Sequence, residues 1–418
     1  PIKKRLSCAA LSAAAAAVIV TGCLWAADEP EADAPEEEQI VLHVMHNKQE
    51  APETYHKLAE AFHQKYPDIT VEYEVPTDFD LELQKRMNRG ETPDIYTASP
   101  VQANAGLLLD LSGQEFLARM RPVHYDTVTR PGEYFFPMGY SGAGIICNET
   151  VLARYGLELP RTLRDLEDIH DTLSRNNVYT FALGFKDLWT AHYCFRPAYY
   201  AVYAGQADWN SLLYEDNVSF SDTPGWKTVG DVVKDYVYAY GNTDTAFERG
   251  YMDACNMLAQ NRAALLVQGS WAAAIIEDYN SNTTLRMVPL PVSDDPDENV
   301  INFYCDYSLS VSADTEHPKE ALLYLDFLAS EEAAEIYVEN TGSFSGLIGA
   351  PMPDSSIAQD IMAYVDAGKY IGNPSDGWPP YFYTDAERIL AEYMFGGKDY
   401  EEMTEALDSA WDMRSRDL

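Results

Sequence analysis

Cysteine is scarce, with 6 in 418 residues, and no two stand in a C-x-x-C arrangement. No His/Cys group has the spacing of metal ligands. His43 and His46 lie three apart on or beside a strand-like segment, so they point to opposite faces and make a poor metal pair. Neither a structural metal nor a cofactor is expected. Basic residues are also few: 29 Lys and Arg stand against 67 Asp and Glu, for a net charge of −38. That balance argues against nucleic acid and against electrostatic docking on anionic lipid. Beyond the first two dozen residues no apolar run approaches membrane-span length. Catalytic signatures are missing as well. There is no H-E-x-x-H and no phosphate-binding P-loop. Gly139-Tyr140-Ser141-Gly142-Ala143 ends in Ala where a nucleophile elbow needs Gly, and Gly142-Ala143-Gly144 opens a dinucleotide-like run that has Cys147 at its final Gly. Paired carboxylates are so common in a chain this acidic that they do not point to a glycosidase.

What is present begins at the N-terminus. Lys3, Lys4 and Arg5 precede an apolar run from Ala9 to Val20, followed by Thr21, Gly22 and Cys23. A basic head, a short apolar core and small residues before a cut describe a secretory signal peptide, here residues 1–22. A Cys directly after that pair resembles the lipobox of bacterial lipoproteins, which implies lipidation of Cys23 and anchoring to the outer face of the cell membrane. Residues 23–38 are rich in Ala, Pro, Asp and Glu and read as an acidic, solvated tether. Cys147, Cys194, Cys255 and Cys305 would remain in the body. An exported protein could pair them, but free Cys is also a common buried residue, and unpaired thiols are expected.

The body starts near Gln39 and alternates strand-like and helix-like blocks. Gln39 to Met45 reads as a strand, and Glu53 to Tyr66 as a helix with Tyr55, Leu58, Ala59, Phe62 and Tyr66 on one stripe. Ile69 to Val75 is a half-buried strand, Phe79 to Arg89 a helix closed by Gly90, and Asp94 to Ala98 a third strand. This order implies a parallel sheet with helices on its faces, and such sheets bind ligands beyond the carboxyl ends of their strands. Asn47, Lys48, Ser99 and Gln102 sit at those ends, each as fit for a ligand contact as for ordinary loop polarity.

Six segments, in order, carry a resemblance. They are AEAFHQKYPDITVEYE with LQKRMNRGETPDIYTAS, then GLLLDLS, GYSGAGIICNETVLARYGLELPRTLRDLEDI, LAQNRAALLVQGSWAAAI, LSVSADTEHPKEALLYLDFLASEEAAEIY and GGKDYEEMTEALDSAW. Together they resemble the family 1 extracellular solute-binding proteins, the carbohydrate-binding components of ABC importers. Only Tyr193 to Tyr251 matches loosely. The resemblance implies an α/β, periplasmic-binding-protein-like fold of two α/β lobes with a hinge and a central ligand cleft. It places lobe one at 39–139 plus 306–338 and lobe two at 140–305 plus 339–418. Crossings fall near Pro137 to Gly144, Phe303 to Ser308 and Asn340 to Gly346, where Gly139, Gly142, Gly144, Gly342 and Gly346 would permit bends.

The implied function is a monomeric lipoprotein that binds a carbohydrate and delivers it to a membrane permease, with no catalytic role. A binding protein for another solute and a secreted carbohydrate-active enzyme are the rival readings. Sugars stack their C–H faces on aromatic rings and pair their hydroxyls with carboxylates and amides. Trp271 stands where the family presents an aromatic to its ligand, though it could also pack a helix start. Lys186, Asp187 and Trp189 fall at the family's second-lobe binding loop, or form a solvated turn. Tyr304 and Asp306 lie at a hinge facing the cleft, where Asp306 could instead make a hinge hydrogen bond. Trp378 and Tyr381, among Pro374, Pro379 and Pro380, would either cap the cleft or pack within lobe two.

Overall fold

The computed structural model describes residues 39–48, 52–76, 78–123, 130–203 and 205–413. The expected signal peptide, Cys23 and the acidic tether lie outside them. No described helix is long and apolar enough to cross a membrane.

The strands are β1 (Ile40–Met45), β2 (Ile69–Glu74), β3 (Ile95–Tyr96), β4 (Phe136–Asn148), β5 (Tyr179–Phe181), β6 (Ala263–Gly269), β7 (Leu285–Val288), β8 (Ile301–Val311), β9 (Phe344–Ser345) and β10 (Tyr370–Ile371). They join in one sheet of order β2-β1-β3-β8-β4-β6-β5, with β10 on β8 and with β7 and β9 on β4. β1 lies parallel to β2 and β3, as the strand–helix alternation requires. The sheet is mixed beyond that point, because β8 runs antiparallel to both β3 and β4.

Local signals place the first helices. Pro52–Lys65 turns Tyr55, Leu58 and Phe62 into the core at helical spacing. Phe79–Arg89 opens on Asp78, whose side chain accepts from Leu81 N, and closes on Gly90 in the left-handed conformation at φ 74°. Asp94 accounts for the Pro-Asp step. Its carboxylate accepts from His43 N at 2.9 Å and from the Thr315 hydroxyl, tying β1 to the chain that leaves β8.

Three sets of side chains form the main cores. Leu42, Leu58, Phe62, Phe136, Met138, Tyr307, Leu309, Tyr324 and Leu347 pack in one. Tyr140, Ile146, Leu266, Phe303, Phe344 and Ile361 pack in another, beside a large aromatic core holding Trp209, Trp226, Phe220 and Trp378. β4, β8 and the β9 segment change core within a few residues of one another. Gly139 pairs with Tyr307 on one side and Ser345 on the other, and the β4–β8 register slips on both sides of Gly139.

The glycines here differ from their expected role. Among the five, only Gly342 has positive φ, at 64°. Gly139 is needed for space: a Cβ there would lie 2.1 Å from the Tyr337 hydroxyl oxygen. At Gly346 a Cβ would lie 1.7 Å from the Pro137 carbonyl oxygen. Close approach of backbone to its neighbours, not bending, fixes both residues. No disulfide joins Cys147, Cys194, Cys255 or Cys305 to one another, and burial pushes the Cys194 and Cys255 thiols up to about 12.

Candidate functional site

β8 carries the centre of the site. Alternation along a strand sends Tyr304 and Asp306 to one face and Phe303 and Cys305 to the other. Asp306 is held at the crossing, its side chain only 8% exposed. Its Oδ2 accepts from Lys48 Nζ at 2.7 Å, and its Oδ1 has no hydrogen-bond partner among the described residues. A buried carboxylate oxygen with nothing donating to it is costly unless a ligand or water supplies a donor.

Lys48 reaches this point from beyond the end of β1. Its backbone N–H donates to His46 Nδ1 at 3.1 Å, which leaves the imidazole proton on Nε2. His46 is fully buried against the Tyr55 ring, 4.1 Å between centroids. Burial, helped by the Lys48 charge, lowers His46 to about 3 and keeps it neutral. The Lys48 ammonium also stands 5.6 Å from the centre of the Trp271 ring. One cation from beyond the end of β1 therefore meets a carboxylate on β8 and an indole from beyond the end of β6.

Trp271 reaches that place because of Gly269. A Cβ at Gly269 would lie 2.2 Å from the Trp271 ring, so only glycine lets the indole fold back over the end of β6. Ser270 ties the turn to β4, its N–H donating to the Gly142 carbonyl at 2.8 Å.

From Trp271 a line of rings runs outward. Tyr193 meets it edge-on at 5.4 Å, Trp189 meets Tyr193 at 6.3 Å, and Tyr251 meets Trp189 at 4.9 Å. Exposure varies along the line: Trp271 and Tyr251 are half-buried, Tyr193 is 3% exposed and Trp189 43%. The Tyr193 and Tyr304 hydroxyls lie 3.0 Å apart. Burial, reinforced by Tyr304, holds the Tyr193 hydroxyl far above its usual range and therefore protonated. Arg196 covers the other side of Tyr193 at 5.1 Å and lies 4.0 Å from Glu387, which also meets His192 at 2.9 Å. Ser141, opposite Tyr304 in register and fully buried, has a hydroxyl with no partner among the described residues.

The expected residues divide. Trp271, Trp189, Tyr304, Asp306 and Lys48 come together. Asn47 is exposed next to Lys48, and Lys186 is exposed beside Trp189's helix, Leu188–Tyr193. Asp187 holds structure: its Oδ2 accepts from Tyr251 N at 2.7 Å, at the start of helix Tyr251–Ala259. Ser99 and Gln102 satisfy each other, because the Ser99 hydroxyl and backbone N–H both donate to Gln102 Oε1 across the first turn of Pro100–Asn104. Trp378 follows the packed one of its two readings: it is 4% exposed among Tyr199, Trp226 and Phe382 in the aromatic core, with Nε1 donating to Asn210 Oδ1 at 3.2 Å. Tyr381 lies on helix Pro380–Met394, and its side chain is outside the described residues.

Sequence reasoning missed Tyr193, Tyr251 and Arg196, which fall in or at the edge of the loosely matching segment. Spacing held the signal. Trp189, Tyr193 and Arg196 stand at i, i+4 and i+7, one face of a helix and its continuation.

A carboxylate with an unpartnered oxygen, an indole and a line of rings suit a ligand that has both hydroxyls and apolar faces. Several known proteins are similar to this chain. The multiple sugar-binding protein of Streptococcus mutans is 22% identical over 360 residues, covering 82% of this chain and 84% of the relative. The melibiose/raffinose/stachyose-binding protein MelE of Bacillus subtilis is 23% identical over 365 residues, covering 84% and 83%. The structure of apo RafE from Streptococcus pneumoniae superimposes with a TM-score of 0.74 at 20% identity, over 90% of this chain and 98% of that one. RafE in complex with raffinose gives 0.75 at 21%, over 90% and 99%. These likenesses establish the periplasmic-binding-protein type of fold. The model of the bacterial extracellular solute-binding protein family matches residues 47–335, and the chain belongs to that family of extracytoplasmic binding proteins, which are not enzymes.

Proposed function

We propose that this protein captures an oligosaccharide in a cleft between its lobes and delivers it to the permease of an ABC importer. The observation that carries this reading is Asp306, whose buried Oδ1 has no partner among the described residues while its Oδ2 holds the Lys48 ammonium that stands 5.6 Å from the centre of the Trp271 ring. A sugar ring laid on Trp271 would bring hydroxyl donors to that oxygen. The ring line Trp271, Tyr193, Trp189 offers further stacking surface, which favours more than one sugar unit. Two relatives named for sugars, one for melibiose, raffinose and stachyose, support the same class.

The proposed site comprises Trp271, Trp189, Tyr304, Asp306 and Lys48, with Tyr193 and Tyr251 added and Asn47 and Lys186 at its mouth. Lobe one is 39–139 plus 306–338 and lobe two 140–305 plus 339–418. The change of core along β4 and β8 supports the limits near 139 and 306, while Leu347 packs in the first core beyond the limit at 338. Lipidation of Cys23, the acidic tether of 23–38 and a monomeric state belong to the same proposal. Tethering raises the receptor's concentration beside its importer.

Isothermal calorimetry with raffinose, stachyose, maltotriose, cellotriose and xylotriose tests the reading. Saturable binding of at least one trisaccharide is expected, near ~1 µM, or about −8 kcal/mol. Binding of a peptide or polyamine with no sugar bound would overturn it.

A further inference from the structure

The face of β8 turned away from the aromatic cluster borders a second space. Between its pairings with β10 at Ile301 and Asn302 and with β3 at Ser310 and Val311, β8 has no strand partner on that edge among the described residues. A cavity of about 510 Å³ fills the gap, lined by Arg121, Tyr140, Phe303, Tyr370, Tyr203 and Asn210, and it meets the carbohydrate site only at Tyr304, which lines both. Its size lies within the range of small-molecule sites. Its lining includes a cluster of rings: Tyr140 and Phe303 lie 5.4 Å apart and tilted by 30°, and Tyr370 meets Phe303 edge-on at 6.3 Å.

Several polar groups there are already engaged. The Tyr140 hydroxyl donates to the Pro122 carbonyl, and Asn210 bonds Tyr203, Trp378 and the Pro374 carbonyl. Arg121 differs. Its guanidinium stands 5.9 Å over the Phe303 ring, and its Nε is buried with no hydrogen-bond partner among the described residues. Its backbone N–H donates to the Gly346 carbonyl at 2.7 Å, which anchors it to the third crossing. A guanidinium with an unused buried N–H beside aromatic walls is complementary to a carboxylate carried on a ring.

We propose that this cavity is a second binding site, separate from the carbohydrate cleft, for a small aromatic carboxylate whose ring lies against Phe303 and Tyr140 and whose carboxylate pairs with Arg121. The strongly negative chain repels such an anion at long range, so affinity rises as salt screens that field. Cys305 lines the same cavity and is not among the fully buried thiols, so its alkylation reports occupancy.

Saturation-transfer NMR on the full chain with benzoate, and with benzyl alcohol as its neutral shape match, tests the site. Benzoate is expected to bind at least tenfold more tightly than the alcohol. Arg121→Gln is expected to abolish that preference and Arg121→Lys to retain part of it. Benzoate is expected to slow iodoacetamide labelling of Cys305 several-fold, read by peptide mass mapping, and to do so also with the cleft saturated by a sugar. No binding of benzoate, equal binding of acid and alcohol, or unchanged preference in Arg121→Gln would each overturn the proposal. Complete displacement of benzoate by a saturating sugar would make the cavity an arm of the carbohydrate site. If no sugar in the panel binds while benzoate protects Cys305, the cavity site stands and the carbohydrate reading falls.

Discussion

Trp271 and Asp306 illustrate what a residue reveals before its neighbours are known. Trp271 could be singled out because it follows a glycine at a strand end, and Gly269 proves to be the residue that makes room for the indole. Tyr193 could not, since its value lies in touching Trp271 from a segment with little family pattern. Trp378 shows the opposite limit, because an aromatic among prolines looks the same in sequence whether it faces solvent or a core. Trp271→Ala is expected to weaken sugar binding about tenfold, a loss of about 1.4 kcal/mol, with little change in melting temperature. Calorimetry beside a thermal melt checks both. Asp306→Asn keeps the shape but leaves the Lys48 ammonium facing a neutral amide, and a loss of about 10- to 100-fold in affinity is expected. His46 predicts a pH dependence. Its folded value near 3 lies below the usual 6.5, so between those values the unfolded chain binds a proton that the folded chain refuses. Stability is full above pH 6.5 and falls as pH drops toward 3, by at most about 1.4 kcal/mol per unit. His46→Phe is expected to flatten that slope in urea titrations at pH 4, 5 and 7.

Elements of the first lobe were legible because their signals are local. The helices Pro52–Lys65 and Phe79–Arg89 and strands β1 to β3 follow from spacing, a capping Asp and a left-handed Gly. The crossings were legible only as places. Their glycines suggest bends in sequence, whereas contact with a residue hundreds of positions away decides them: Gly139 against Tyr337, and Gly346 against Pro137. Gly139→Ala is expected to cost about 1–3 kcal/mol by overpacking, measured by urea unfolding. Tyr337→Phe should recover part of that loss by removing the nearest atom. Gly346→Ala meets a backbone oxygen that no side-chain truncation removes, so the same Tyr337→Phe change should leave its larger loss intact.

At the scale of the whole molecule, family and fold were the most legible, since matches spread along most of the chain survive loose pairing at any one of them. The ligand was the least, because it depends on distances among Lys48, Asp306, Trp271 and Tyr193, which come from four separate segments. If the proposed lipidation holds, Cys23→Ser is expected to release the protein from cell membranes into the soluble fraction, read by fractionation and immunoblotting, and to leave sugar affinity within about twofold, because a tether would set local concentration and not the cleft. The path of the chain also has a consequence in time. The first core needs Tyr307, Leu309, Tyr324 and Val338 as much as Leu42 and Phe62. A chain emerging from a membrane N-terminus first therefore cannot close its leading lobe until more than three-quarters of it has crossed. Through that interval the early strands wait with their apolar faces open, so the order of emergence, as much as final stability, sets where this protein is vulnerable to proteases and to aggregation.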